Sequence, residues 1–206
     1  MLLTFVAIAG ASYLVGSLPT AYLLVKWKTQ RDLRTMGTGN IGALNSYEVT
    51  RSKFVGLSVL VVDLAKGALV IMLTRLFSDG SLALLGLAAV GVVLGHNYPL
   101  WLGFQGGRGL ATAAGAFLLL NWLFVVVWGV IWAIVYFLTK NIHKGNIAAI
   151  VLTPFISIAL SGRMVEWEMV HEGDTGLFIL FGFLASALLF LRHLQPLREM
   201  LSRKPS

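Results

Sequence analysis

Seven apolar stretches joined by short polar or basic connections make up most of this 206-residue chain, and they limit its fold more than any other feature. About 20 apolar residues let a helix cross the hydrocarbon core of a bilayer. Within that core only helices and closed barrels satisfy their own backbone. The expected spans run from about Leu3 to Val25, Phe54 to Phe77, Leu82 to Tyr98, Leu110 to Leu120, Trp122 to Leu138, Asn146 to Ser161 and Thr175 to Leu191. The fourth and fifth form one apolar run, too long for a single upright helix, and Asn121 divides it. The chain is therefore expected to be all-α: a polytopic helical membrane protein of about seven spans, some short or broken, forming one domain over residues 1–206. Only 12% of its residues are charged, against roughly 25% in soluble domains. No length remains for a separate soluble catalytic domain, so any chemistry sits among the helices and their short loops. The first stretch lacks a basic leader and a small-residue cleavage motif, and it is expected to be a retained span.

Sidedness follows from the basic residues. Lys26, Lys28, Arg31, Arg34, Arg51, Lys53, Arg108, Lys140, Lys144, Arg192, Arg198, Arg203 and Lys204 fall on one side of the expected spans, and only Arg75 and Arg163 on the other. Basic loops face the cytoplasm. With an odd span count, the expected N-terminus lies outside and the C-terminus in the cytoplasm. The acidic stretch from Glu166 to Asp174 falls on the outer side. The net charge of +7 is spread over several loops, which argues against nucleic acid and for anionic headgroups or an anionic substrate. The absence of cysteine excludes disulfides, thiolate catalysis and cysteine metal sites. Scattered histidines without an H-E-x-x-H pattern argue against a metal, no G-x-S-x-G elbow occurs, and no cofactor is expected.

Three clusters carry candidate chemistry. The first loop holds Gly37-Thr38-Gly39-Asn40-Ile41-Gly42, a formal G-x-G-x-x-G. It lies between two spans rather than inside a βαβ unit, which excludes a dinucleotide fold. Its glycines still let backbone N–H groups converge on an anion. Thr38, Asn40 and Asn45 add side-chain donors, and Arg34 and Arg51 add positive charge. The plainer alternative is a flexible loop whose basic neighbours touch lipid headgroups. The second cluster runs from Gly95-His96-Asn97-Tyr98-Pro99 through Phe104-Gln105-Gly106-Gly107-Arg108-Gly109 to Thr112. Polar groups and irregular backbone at this depth mark function. Arg108 between glycines suits bidentate phosphate binding, and His96 suits a general base or phosphate donor. Its plainer reading is a snorkelling arginine and a capping histidine. The third cluster is Asp63 and Lys66, three residues apart within the second span and so on one helical face. It reads as a structural ion pair, or as Lys66 on substrate phosphate with Asp63 holding it.

Taken in order, Gly16-Ser17-Leu18-Pro19-Thr20-Ala21, the first loop through Asn45, Asp63-Leu64-Ala65-Lys66-Gly67 and the His96 to Thr112 segment resemble the bacterial acyl-phosphate:glycerol-3-phosphate acyltransferase family. The resemblance covers most of the chain. It implies an enzyme of phospholipid synthesis in the bacterial inner membrane, making lysophosphatidic acid from acyl phosphate and glycerol 3-phosphate, with membrane lipids as surroundings. It assigns catalytic roles among His96, Thr38, Arg108 and His193, where His96 or His193 orients the hydroxyl or acts as base, or a substrate phosphate serves as base instead. Phosphate or oxyanion contacts go to Gly37, Gly39, Asn40, Gly42, Asn45, Arg34, Lys66, Gly106, Gly107 and Thr112. Departures from the family pattern fall on Thr38 (usually Ser), Glu48 (usually Arg), Gln105 and Arg108 (usually Lys), His143 to Asn146, and Gln195-Pro196-Leu197 after the matching Arg192 and His193. A silent member that binds phosphate or anionic lipid, and a small anion or lipid transporter, are the two competing readings.

Overall fold

The computed structural model describes residues 1–78, 80–166 and 174–202. Asp79, most of the acidic outer stretch, and Arg203 and Lys204 lie outside the described residues. Every regular element among those described is helical, and six helices are long and apolar enough to cross a membrane. A seventh apolar helix, Leu110–Leu120, is shorter. The chain forms two compact units, Met1–Leu120 and Asn121–Ser206.

In the first unit the opening apolar run is two helices instead of one. Helix α1 covers Leu2–Gly16 and α2 covers Thr20–Thr29. Pro19 has no N–H to donate and bars the residue before it from helical geometry, so the run breaks at Ser17 to Pro19. A short 3₁₀ turn, Leu33–Thr35, and α3, Ala43–Thr50, then carry the first loop. Helix α4, Lys53–Phe77, buries one stripe made of Val55, Val59, Asp63, Lys66, Gly67, Val70, Ile71 and Thr74. Its opposite face exposes Leu57, Leu60, Val61 and Leu64. Charges inside and leucines outside are what a lipid solvent selects.

Helix α5, Leu82–Asn97, is buried on nearly all sides and is the centre of the first unit, packed by α1, α4 and by α6, Leu110–Leu120. Close approach is purchased with small residues, as in other membrane interfaces. A Cβ at Gly95 would overlap the Tyr13 carbonyl of α1, and one at Gly67 of α4 would overlap the Thr112 carbonyl of α6. These contacts draw α1 against α5 and α4 against α6.

The second unit contains α7 (Trp122–Thr139), α8 (Ile142–Ala159), α9 (Ser161–Glu166) and α10 (Thr175–Ser202). Asn121 divides the long apolar run as an N-cap, its Oδ1 accepting from Leu123 N–H at 3.1 Å. Asn141 does the same for α8, so that helix starts four residues before the expected Asn146. Along α7, Trp128, Trp132 and Tyr136 stack with centroids 6.4 and 5.0 Å apart.

Candidate active site

The break in the first span frees backbone groups that a continuous helix would pair. Leu18 presents its carbonyl there, and Lys66 Nζ of α4 donates to it at 3.3 Å. The same ammonium sits 2.9 Å from Asp63 Oδ1 and 2.9 Å from His96 Nδ1 of α5. All three residues are buried, with His96 the most exposed at 8%. An ammonium has three donors and no acceptor, so these contacts use every N–H of Lys66. They also settle the imidazole: Nδ1 has to accept, and the ring proton is on Nε2. Asp63 Oδ1 is 3.7 Å from that ring, too long for a hydrogen bond. The carboxylate therefore acts on His96 through the lysine.

The ring is held from its other side as well. Gly107 donates its N–H to the His96 carbonyl at 3.1 Å, and a Cβ at Gly107 would overlap His96 Nε2. Gly106 likewise lies against the His96 carbonyl, leaving no room for a side chain. The glycines of this loop thus serve packing on His96 before any substrate contact. Arg108 is half-buried beside them, and Gln105 is exposed. Thr112, in the first turn of α6, is fully buried with a hydroxyl that has no hydrogen-bond partner.

The first loop is organised from within. Gly37 and Gly39 adopt positive φ, 56° and 69°, the left-handed region that glycine enters at little cost. Asn45 is 2% exposed, and its amide is fully engaged by that loop. Oδ1 accepts from Thr38 N–H at 3.0 Å, and Nδ2 donates to the carbonyls of Asn40 and Met36 at 2.9 and 3.2 Å. Thr38 Oγ1 accepts from Asn40 N–H at 3.4 Å, Gly42 precedes the first turn of α3, and Ile41 packs into the apolar core below.

The structure therefore shifts several expected roles. Lys66, expected on phosphate, has its donors committed to Asp63, His96 and Leu18. Asn45, expected on substrate, is the internal brace of its loop. Arg34, also expected on phosphate, makes a paired contact with Asp32, at 2.6 Å for the shortest N···O distance. This bidentate partner holds the Asp32 carboxyl below the usual carboxylate range and raises the guanidinium. Glu48 is exposed on α3. Thr38, Asn40, Arg108, Gly107 and Thr112 remain with His96 in the first unit. His193 belongs to the second unit, where it is fully buried and its Nδ1 donates to the Leu189 carbonyl at 2.7 Å. Pro196 is buried inside α10, and Gln195 is exposed and donates to Glu199 at 2.9 Å.

Sequence reasoning missed Asp32 as the partner of Arg34, and it missed the break at Ser17 to Pro19 as part of the site. The signal for the second was present: a proline three residues after a glycine within an apolar run.

A family model described as glycerol-3-phosphate acyltransferase matches residues 6–203. The glycerol-3-phosphate acyltransferase of Gluconobacter oxydans is 39% identical over 153 residues, which is 74% of this chain and 72% of the relative. That of Thermotoga petrophila is 32% identical over 190 residues, 92% of this chain and 89% of the relative. The crystal structure of PlsY (YgiH), an integral membrane glycerol 3-phosphate acyltransferase, in its glycerol 3-phosphate form superposes with a TM-score of 0.79 at 25% identity. The match covers 96% of this chain and 92% of that one. With motifs, helical plan and close relatives in agreement, the chain belongs to the glycerol-3-phosphate acyltransferase family.

Proposed function

We propose that this integral membrane protein transfers a fatty acyl group from acyl phosphate to glycerol 3-phosphate, giving lysophosphatidic acid and inorganic phosphate. The observation that carries the reading is the buried Asp63–Lys66–His96 group. It is set against the Gly106-Gly107-Arg108 loop and the broken first span, in a chain whose relatives are named for this activity.

The hydroxyl oxygen of glycerol 3-phosphate bonds to the acyl carbon, the acyl carbon–phosphate oxygen bond breaks, and the hydroxyl proton leaves with phosphate. Phosphate is already a good leaving group, so the main task is to hold two reactants in line, worth several kcal/mol. Charge on the carbonyl oxygen must also be stabilised. Arg108 and the side chains of Thr38 and Asn40 serve the phosphates, and Thr112 brings a buried hydroxyl with no other partner. With Lys66 against Nδ1, His96 carries its ring proton on Nε2 and acts as a hydrogen-bond donor in preference to a base. His193 has its ring proton on Nδ1, donated to the Leu189 carbonyl. The glycine-rich loops face the cytoplasm, where glycerol 3-phosphate is found, with the N-terminus outside and the C-terminus in the cytoplasm.

The test is turnover by the purified protein in detergent or lipid mesophase, given palmitoyl phosphate and glycerol 3-phosphate, with phosphate and lysophosphatidic acid both measured. Wild type is expected to form both in equal amounts, and Arg108→Ala to lose about a hundredfold or more in kcat/KM. Folded wild-type protein that forms neither would sink the reading.

A further inference from the structure

The polar groups at the broken first span include one that no contact explains. Among the described residues, the hydroxyls of Thr29, Ser46, Thr50, Thr74, Ser78, Thr139, Thr153 and Ser157 bond back to the carbonyl four residues earlier. That is the usual way a helix settles a serine or threonine away from water. Ser17 does not do so. Its backbone N–H takes the Tyr13 carbonyl at 2.9 Å, and its Oγ is fully buried with no hydrogen-bond partner. A buried hydroxyl without a partner is destabilising, yet Ser17 lines a small pocket whose other polar side chains are Thr20, Asp63, Lys66 and His96.

The charge of that pocket decides what it can take. Asp63 and Lys66 cancel, and His96 is neutral while Nδ1 accepts from Lys66. A phosphate dianion would meet a carboxylate there and no free cationic donor. A neutral oxygen meets no such penalty, and the pocket has room for about one water-sized group. Next to it along the same two helices runs an open apolar crevice of about 300 Å³. Leu73 and Phe77 are on its exposed rim, Val15 is half-buried, and Ser12, Val70 and Thr74 form its buried floor. Gly16 lines the polar pocket and Val15 the crevice, and Val70 follows Lys66 by about one helical turn, so the two are neighbours along α1 and α4.

We propose that Ser17 is a catalytic residue whose hydroxyl donates to the carbonyl oxygen of the acyl donor, with the acyl chain lying in the α1–α4 crevice. This rests on the acyl-transfer reading above. When the acceptor hydroxyl oxygen bonds to the acyl carbon, negative charge collects on that carbonyl oxygen. When the carbon–phosphate oxygen bond breaks and phosphate departs with the hydroxyl proton, the charge is returned. A donor that is unsatisfied until the carbonyl arrives, and held by a helix break that does not move, stabilises the charge without reorganisation.

The deciding experiment is Ser17→Ala and Ser17→Cys beside wild type, in the palmitoyl phosphate and glycerol 3-phosphate assay, together with thermal melting. Ser17→Ala is expected to melt at the same temperature or higher and to lose about a hundredfold in kcat, with both KM values within twofold. Ser17→Cys, a weaker donor, falls between. Wild-type activity with unchanged kcat in both variants would overturn the proposal and leave the enzyme reading standing. A raised KM for glycerol 3-phosphate at normal kcat would overturn it too, placing the acceptor hydroxyl in the pocket. Inactive folded wild type would overturn both. Should Ser17→Ala fail to fold, Ser17→Cys alone decides by the same kcat criterion. As a check on the crevice, Val70→Trp is expected to depress kcat/KM for palmitoyl phosphate at least tenfold more than for butyryl phosphate. An equal effect on both would place the chain elsewhere.

Discussion

At the scale of single residues, the decisive arrangement is an ammonium whose three donors are all used inside the protein. Removing one partner of a buried ion pair costs more than the pair contributes, on the order of 3–5 kcal/mol, because the other charge is left unpaired. Lys66→Met is therefore expected to lower the melting temperature strongly, and Asp63→Asn with Lys66→Met to recover most of that loss. Both variants should be nearly inactive, since His96 loses the group that fixes its tautomer. A double variant as unstable as Lys66→Met would show that the lysine acts apart from Asp63. Gly107→Ala tests the other side of the same ring. The new methyl would overlap His96 Nε2, and a displacement of about 1 Å at a reacting group costs up to about a hundredfold in rate. The expected result is a fall in kcat of tenfold or more with the fold intact, read by kinetics and melting together. These residues were visible in the sequence as candidates, and so was the Asp63–Lys66 pair, but the place of His96 beside it was not. Spacing puts Asp63 and Lys66 on one face of a helix, while only the packing of α5 brings His96 between Lys66 and Gly107.

At the scale of elements, the first span shows what a proline inside an apolar run can do. Hydropathy alone reads Leu3 to Val25 as continuous, because Ser17, Pro19 and Thr20 are too few to interrupt an apolar average. The chain breaks there, and the freed Leu18 carbonyl becomes a ligand for Lys66. Pro19→Ala is expected to favour a continuous helix, since alanine is about 3 kcal/mol better than proline in a helix interior. The protein would then melt at the same temperature or higher while losing about tenfold in kcat/KM, because the Leu18 carbonyl and Ser17 turn away from the pocket. Lower stability with full activity would contradict that role for the break. The divided run at Asn121 was legible for the opposite reason. An asparagine between two long apolar runs has one inexpensive place to go, the N-cap of the second.

At the scale of the whole molecule, the distribution of polarity is inverted relative to a soluble protein. Asp63, Lys66, His96, Asn97, Thr112 and His193 are buried, while leucines, valines and phenylalanines cover much of the outside. Such an exterior is stable against lipid tails and would aggregate in water. The proposed orientation is directly testable because the chain has no cysteine of its own. A membrane-impermeant maleimide is expected to label Ser81→Cys, in the turn after α4, on intact spheroplasts. Thr35→Cys, in the first loop, should react only after lysis. The reverse pattern would place the glycine-rich loops outside and remove access to cytoplasmic substrate.

The sequence by itself determined the helical membrane plan, since apolar runs of spanning length have few other stable outcomes in a bilayer. It also located most of the polar clusters, because charge at that depth is too costly to keep without a use. Only the tertiary structure decided which of those residues face one another. Loop glycines turned out to be seats for His96, Asn45 a brace and Lys66 a clamp. Such assignments depend on contacts between helices far apart in the chain, and on whether each donor already has a partner, which no local pattern of residues records.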